Sequence, residues 1–306
     1  MKIAYLFAGQ GAQKVGMGLD FYEQSSVSKE IYDAVNLDFD LKEICFTDHE
    51  NRINQTEYTQ SCLLATSLSI AKAVDALGIK PQAVAGLSLG EYSALAYANA
   101  LDFNTSLNLV RQRGIIMASA LPANTTGMSA ILNGDQDAIA KRIAQDDIQS
   151  CGLVQIANYN SPKQIVLTGE LAGLKKAEEV LNELKMGRII PLKVSGAFHS
   201  ALLTEASKNL AKVLEPLEFT EPEVKVYYNY IGDSAKFSKE LLTKQISNSV
   251  LFEKMVKQMI TDGIDTFIEI GPGKTLTSFV KQINPDVAVY TVESMEGLNA
   301  LKGVLV

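Results

Sequence analysis

The chain has 306 residues, of which 47% are hydrophobic, so it can bury the core of one large domain or of a large domain that carries a smaller one. Its net charge of −7 argues against a nucleic-acid-binding protein. The three cysteines, Cys45, Cys62 and Cys151, lack the spacing of a zinc site or of a disulfide framework, so we expect no metal and a reducing, cytoplasmic location.

Strand-like and helix-like patterns alternate from the start of the chain. The apolar run at 3–8 predicts a buried strand; it is shorter than a signal-peptide core, and no stretch reaches the length of a membrane span. A helix over 58–77, a strand at 84–85, and helices over 91–97 and 104–120 follow. This alternation indicates a parallel sheet with helical crossovers.

The pattern changes at about residue 124. Six elements follow in the order strand, helix, strand, strand, helix, strand, at 128–132, 135–147, 154–159, 164–168, 171–184 and 188–192. The order βαββαβ is typical of a ferredoxin-like fold. The first pattern then resumes, with strands at 224–228, 266–270 and 287–291. We therefore expect an α/β protein whose large domain, 1–123 and 194–306, carries an inserted ferredoxin-like small domain at 124–193.

A G-x-S-x-G pattern, Gly86-Leu87-Ser88-Leu89-Gly90, stands between the strand at 84–85 and the helix at 91–97. Taken alone, such a pattern is more often an ordinary turn than a nucleophile. On a strand-to-helix turn, however, the serine hydroxyl is exposed above a helix N-terminus, which suits a nucleophile that forms an ester. The position of the motif therefore favours Ser88 as a nucleophile.

A serine nucleophile needs a general base, and the chain has two histidines. His49 lies in a polar, charged loop, where a solvated surface histidine is expected. His199 follows the last strand of the predicted small domain, where the chain returns to the large one. Pockets form at such seams, so His199 is the predicted base.

Two other glycine-rich turns have weaker signals. The turn at 9–13 lacks the third glycine of a dinucleotide-binding fingerprint, because that position is Lys14. It is either a simple tight turn or a loop that places the N–H of Gln10 beside that of Leu89, where both could donate to an oxyanion. The turn at 271–275 lacks the first glycine of a phosphate loop and is interpreted as structural, with a phosphate contact as the alternative.

The predicted helix at 104–120 contains two arginines. Arg111 and Arg113 flank its apolar stripe at similar angles, so helical periodicity does not choose between them. By default, each is a solvated side chain.

Together these motifs resemble those of the malonyl-CoA:acyl carrier protein transacylases of bacterial fatty-acid synthesis and, more distantly, of the acyltransferase domains of polyketide synthases. The resemblance extends over essentially the whole chain. Six motifs carry it in the family's order, at 9–13, 86–95, 113–114, 158–166, 196–199 and 271–274. The family fold, a hydrolase-like α/β domain with a ferredoxin-like insertion, agrees with the elements predicted above.

The resemblance implies that Ser88 is the nucleophile and His199 its base. It places the backbone amides of Gln10 and Leu89 in an oxyanion hole. Gln245 matches a glutamine whose main-chain carbonyl orients the histidine, which implies a Ser-His pair without a third, acidic member.

For substrate binding, the resemblance implies that Arg113 pairs with the free carboxylate of the malonyl group. It also implies that Met117, Asn160 and Phe198 line the site, with Phe198 close to the malonyl α-carbon. Three positions depart from the family pattern: Ala8 and Ser249, where proline is common, and Leu87, where histidine is usual.

The implied activity is transfer of a malonyl group from malonyl-CoA to the phosphopantetheine thiol of acyl carrier protein, through a malonyl-serine ester. We expect a cytoplasmic monomer that needs no cofactor and contacts neither membrane nor nucleic acid. One alternative is a serine esterase or thioesterase, but no acidic partner in the hydrolase order is evident after Ser88. The other is a non-catalytic protein that binds acyl carrier protein, which the intact set of Ser88, His199 and Arg113 makes the weaker reading.

Overall fold

The structure is a computed structural model that describes residues 1–192, 194 and 196–306. Its strands are β1 (Ile3–Phe7), β2 (Ala83–Gly86), β3 (Thr126–Leu132), β4 (Val154–Ser161), β5 (Gln164–Glu170), β6 (Arg188–Pro191), β7 (Lys225–Tyr228), β8 (Asp233–Ser234), β9 (Thr266–Ile270) and β10 (Ala288–Val292). Its helices are α1 (Leu19–Gln24), α2 (Ser26–Asp33), α3 (Leu41–Phe46), α4 (Thr56–Ala76), α5 (Leu89–Tyr97), α6 (Phe103–Ser119), α7 (Gln136–Ile143), α8 (Asp146–Gln149), α9 (Leu171–Glu183), α10 (Thr204–Leu214), α11 (Lys239–Ser247), α12 (Phe252–Thr261), α13 (Thr275–Ile283) and α14 (Met295–Leu305).

The larger sheet has six strands in the order β10-β9-β1-β2-β7-β8. The first five run parallel, and β8 is antiparallel to β7. Every residue of β1 is buried, as expected for a central parallel strand covered on both faces. The predicted parallel sheet with helical crossovers is confirmed.

Successive side chains of β1 enter two different parts of the core, because side chains alternate across a strand. Tyr5 and Phe7 pack in a cluster that includes residues of α4, α5 and α6. Ala4 and Leu6 pack in a second cluster with Phe252 of α12 and other residues of α12 and α13. Helices therefore cover both faces of the sheet, and the strand ends at its carboxyl edge remain available for a site.

The smaller sheet is antiparallel, with the strand order β4-β5-β3-β6. Its apolar face packs on α7, α8 and α9 in a core of its own. The predicted βαββαβ unit is thus present, and the predicted fold class is confirmed. The domain boundaries at 123/124 and 193/194 remain predictions, and Lys193 lies outside the described residues.

Two parts of the helix prediction were wrong. The helix expected over 135–147 ends at Ile143, and α8 begins after Gln145 adopts an extended conformation. Three short helices, α1 to α3, were not predicted; each is eight residues or fewer, so its periodic signal is weak. None of the described helices combines the length and the apolar character that a membrane span needs.

Candidate active site

Ser88 lies on the sharp turn between β2 and α5, with φ 52° and ψ −101°. Such a conformation of a non-glycine residue costs on the order of 1–3 kcal/mol and persists only where its surroundings enforce it. The flanking glycines permit the turn, since a Cβ on Gly86 would lie 2.1 Å from the carbonyl carbon of Gly90, and one on Gly90 would lie 2.0 Å from the oxygen of Phe7. The strand-to-helix turn predicted from the motif is therefore present.

The structure brings His199 to this turn. The Nε2 atom of His199 is 2.8 Å from the Oγ atom of Ser88, and its Nδ1 atom is 2.8 Å from the main-chain oxygen of Gln245. A carbonyl oxygen can only accept, so Nδ1 carries the ring proton of the neutral imidazole. Nε2 is then free to accept the proton of Ser88, as a general base must.

The surroundings keep His199 uncharged. Burial, followed by the positive charge of Arg113, lowers the pKa of His199 from 6.5 to about 4, and the hydrogen bond to Gln245 only partly opposes this. At neutral pH the imidazole is therefore a base without a proton on Nε2. His49, by contrast, has a side chain that is 77% exposed and contacts Glu43, as predicted for a surface histidine.

Arg113 is buried directly behind Ser88. Its Nη2 atom donates to the Oγ atom of Ser88 and to Oε1 of Gln245, and its Nη1 atom donates to Oε1 of Gln60, all at 2.9 Å. These three acceptors are uncharged, and Nε has no hydrogen-bond partner among the described residues. The guanidinium also lies 5.0 Å from the ring centre of Tyr92. A buried cation with neutral partners is costly, and a carboxylate bound beside Ser88 would offset that cost.

The structure separates the two arginines that periodicity left equivalent. Only 1% of Arg113 is exposed. Arg111 instead forms an ion pair with Asp38 at the surface and lies over the ring of Phe39.

The two expected oxyanion donors are adjacent to the turn. Leu89 is the first residue of α5, and the first N–H groups of a helix lack intrahelical acceptors. Gln10 follows β1 in a loop that packs closely on the turn, since a Cβ on Gly9 would lie 2.4 Å from the oxygen of Leu87. Within the described part of the chain, the main-chain N–H of neither Gln10 nor Leu89 is hydrogen-bonded.

A cavity of about 1160 Å³ opens between the two sheets in front of Ser88 and His199. Its lining includes the predicted residues Gln10, Met117, Asn160 and Phe198, together with Leu87. Arg113, Gln245 and Leu89 are buried and do not line the cavity. Leu87 offers the cavity an apolar side chain where the family usually has a hydrogen-bonding one.

The glycine-rich turn at 271–275 is hydrogen-bonded to another side chain of the protein. Glu293 accepts hydrogen bonds from the N–H of Gly273, at 3.0 Å, and from Nζ of Lys14, at 2.7 Å. This arrangement agrees with a structural turn. No group of three or more His, Cys, Asp and Glu side chains within the described residues is arranged to hold a metal ion.

Three polar residues at the site were not selected from the sequence: Gln60, Glu91 and Asn229. All three are fully buried. Glu91 lies in the first turn of α5, and burial raises its pKa to about 7. Asn229 directly follows β7, so its position at the carboxyl end of a strand is a signal that could have identified it.

Comparisons with known proteins agree with this geometry. The family model for the acyl transferase domain matches residues 4–296. The chain is 39% identical over 300 residues to the malonyl CoA-acyl carrier protein transacylase of Bacillus subtilis (strain 168), with 96% of this chain and 94% of the relative covered.

Solved structures are similar over the whole length. The malonyl CoA-acyl carrier protein transacylase from Clostridium perfringens has a TM-score of 0.95 and 40% identity, covering 100% of this chain and 97% of that one. A malonyl-transacylase in complex with its type II PKS acyl-carrier protein has a TM-score of 0.94 and 32% identity, covering 99% of each chain. The chain therefore belongs to the acyl transferase domain family and is an acyltransferase.

Proposed function

We propose that the chain transfers a malonyl group from malonyl-CoA to the phosphopantetheine thiol of acyl carrier protein, supplying extender units for fatty-acid biosynthesis. The observation that carries this proposal is the buried guanidinium of Arg113. It contacts the Oγ atom of Ser88, and its hydrogen-bond acceptors among the described residues are uncharged. An acyl group with a free carboxylate fits this position. The relatives described above are malonyl CoA-acyl carrier protein transacylases, which supports the same substrates.

In the first half-reaction, Ser88 attacks the thioester carbonyl of malonyl-CoA while its proton passes to Nε2 of His199. The N–H groups of Gln10 and Leu89 stabilise the tetrahedral oxyanion. Collapse of this intermediate breaks the carbon–sulfur bond, and CoA leaves as a thiol with the proton from His199. A malonyl ester remains on Ser88.

In the second half-reaction, the phosphopantetheine thiol enters the same cavity and gives its proton to His199. The sulfur attacks the ester carbonyl, and the same two N–H groups stabilise the second oxyanion. Ser88 then leaves and recovers the proton from His199. The two half-reactions share one site, so the kinetics are ping-pong.

The malonyl carboxylate replaces neutral acceptors of Arg113 in this mechanism. Two parallel, charge-assisted hydrogen bonds to a guanidinium fix both the position and the orientation of a carboxylate. The rest of the acyl site is lined by Met117, Asn160 and Phe198. In an apolar pocket, one extra methyl group on the substrate changes the free energy that separates two acyl groups by about 1 to 3 kcal/mol. Malonyl is thus favoured over methylmalonyl without being the only substrate.

Side chains and main-chain amides supply every group that this reaction requires, so the proposed mechanism uses no metal or redox cofactor. The three cysteines are free, and unpaired thiols are typical of a reducing compartment. We accordingly assign the reaction to the cytoplasm and to a monomer, since one chain holds all the residues named above.

Mass spectrometry of the protein mixed with malonyl-CoA tests the proposal. We expect one malonyl group on the peptide that contains Ser88, and rapid loss of that group when phosphopantetheinylated carrier protein is added. Transfer to the carrier protein is expected to exceed CoA release in buffer alone by a wide margin. Equal rates with and without the carrier protein would indicate an esterase, and the absence of any adduct would indicate a non-catalytic binding protein.

The pH dependence of acylation reports on His199. Because its pKa is lowered to about 4, the imidazole is neutral above that pH, and kcat/KM for malonyl-CoA is expected to fall only as the pH drops through about 4.

His199→Ala is expected to lose about 10²- to 10⁴-fold in acylation rate, as is usual when a general base is removed.

His49→Ala is the matched control and is expected to behave like the wild type. A comparable loss at His49, or an acid limb near pH 6.5 in the wild type, would show that the base or its environment is misassigned.

A further inference from the structure

The main chain of Ser88 is held by a side chain from another strand. The N–H of Ser88 donates to Oδ1 of Asn229 at 2.6 Å, and Nδ2 of Asn229 donates to the carbonyl oxygen of Gly86 at 2.7 Å. One carboxamide thus bridges the two peptide groups on either side of Leu87. These contacts lie where the turn leaves β2, next to the residue with φ 52°.

Asn229 is itself fixed by the protein. Its N–H donates to Oε2 of Glu91 at 2.5 Å, and its carbonyl oxygen accepts from the N–H of Leu251 at 2.9 Å. Both Asn229 and Glu91 are fully buried. Strand β7 is the parallel neighbour of β2, which places the residue after β7 beside the turn after β2.

Glu91 closes the arrangement. Its N–H donates to the carbonyl oxygen of Ser88 at 3.2 Å, and the same oxygen accepts from Nε2 of Gln245 at 3.0 Å. Ser88, Asn229 and Glu91 therefore form a closed ring of hydrogen bonds. The peptide between Ser88 and Leu89 is planar, so fixing its carbonyl oxygen also fixes the direction of the N–H of Leu89.

We propose that Asn229, anchored by Glu91, is a positioning residue that holds Ser88 in its strained conformation, and so aligns its Oγ atom with His199 and the N–H of Leu89 with the oxyanion. Asn229 makes no hydrogen bond to either Oγ or His199; it acts through the main chain. The proposal rests on the function proposed above, because it takes Ser88 as the nucleophile. Misplacement of a reacting atom by about 1 Å can cost about 100-fold in rate, whereas substrate binding away from that atom is unaffected.

Asn229→Ala tests the proposal. We expect the rate of Ser88 acylation, measured in a single turnover by mass spectrometry, to fall about 10- to 100-fold. The KM for malonyl-CoA is expected to stay within about twofold of the wild-type value, because the change affects only the transition state. Asn229→Asp keeps an acceptor for the N–H of Ser88 but loses the donor to Gly86, so its rate is expected to lie between those of the wild type and Asn229→Ala. If the alanine variant does not fold, the aspartate variant carries the same test.

Ser28→Ala is the control for a buried hydrogen bond lost elsewhere. Ser28 is fully buried and donates to the main-chain oxygen of Ser69 at 2.9 Å, far along the chain from the turn. We expect this variant to lose thermal stability without losing acylation rate. An Asn229→Ala variant that is folded and acylates at the wild-type rate, or one whose loss merely matches that of Ser28→Ala, would overturn the proposal.

A fluorophosphonate probe separates this inference from the proposed function, since it reacts with an activated serine regardless of the acyl donor. Labelling of Ser88 is expected to slow in Asn229→Ala by a factor similar to that for acylation. Wild-type labelling without malonyl-ester formation would reject the proposed function alone. Equal labelling of wild type and Asn229→Ala would reject the positioning role alone. In a Ser88→Ala background, adding Asn229→Ala is expected to leave the Kd for malonyl-CoA unchanged; a weaker Kd would identify a binding role instead.

Discussion

Ser88→Ala is expected to abolish formation of the acyl-enzyme, with a loss of at least about 10⁴-fold in transfer rate, because the variant lacks the hydroxyl that we propose forms the ester. The fold is expected to remain intact. Alanine has the same Cβ as serine, so the strained backbone at φ 52° costs no more than before. The variant also leaves Arg113 hydrogen-bonded to Gln60 and Gln245. Intact-protein mass spectrometry after mixing with malonyl-CoA, alongside a thermal melt, measures both expectations.

Ser93→Ala, in helix α5 directly after the turn, provides a comparison. Its hydroxyl is buried and has no hydrogen-bond partner among the described residues. We expect this variant to retain its acyl-enzyme. Transfer that survives in Ser88→Ala, with an adduct mapped to another residue, would remove Ser88 from the proposed role.

Arg113→Ala is expected to reduce kcat/KM for malonyl-CoA by about 100-fold or more. Hydrogen bonds to charged groups contribute about 1.5 to 3 kcal/mol each, so losing a two-point contact costs on the order of 3 kcal/mol or more. Acetyl-CoA has no carboxylate, and its kcat/KM is expected to change little. Arg113→Lys is expected to restore only part of the loss, because an ammonium does not reproduce the planar fork. Steady-state kinetics with both thioesters give the ratio.

The same variant carries a second readout. The charge of Arg113 lowers the pKa of His199, so its removal is expected to move the acid limb of the remaining activity with acetyl-CoA to higher pH.

Arg111→Ala is the matched control from the same helix. Arg111 pairs with Asp38 at the surface, and pairs of this kind contribute about 0 to 1 kcal/mol to stability. The malonyl-specific loss is expected to be absent. The assignment fails if Arg111→Ala shows that loss, or if Arg113→Ala slows both acyl groups equally.

Much of the fold could be predicted because its signals are local. The apolar run of β1, the alternation of strands and helices, and the βαββαβ order all reflect which side chains must be buried within a few residues of one another. The prediction was wrong where elements are short, as in α1 to α3, or where a helix ends without glycine or proline, as after Ile143. Short helices contain too few apolar positions to show the helical repeat of apolar residues.

Some residues of the candidate site could likewise be predicted from local signals, and others could not. Gly86, Ser88 and Gly90 could be recognised because a tight strand-to-helix turn requires small residues at fixed spacing. His199 could be selected because only two histidines exist and one lies in a charged loop. Local sequence was therefore enough to predict the turn at Ser88, the candidate base and the order of the elements.

Tertiary packing, in contrast, sets which of the two arginines is buried and which polar groups hold the turn at Ser88. Arg113 and Arg111 are equivalent by helical angle, but only Arg113 faces Ser88, because α6 packs with that side against α4 and the turn. Asn229 lies 141 positions beyond Ser88. Its place directly after β7 marks it as a residue at the carboxyl edge of the sheet, but local sequence does not show that it contacts the turn at Ser88. Buried polar groups must be satisfied by partners that packing brings together, and those partners are set by the relative positions of strands and helices rather than by local periodicity.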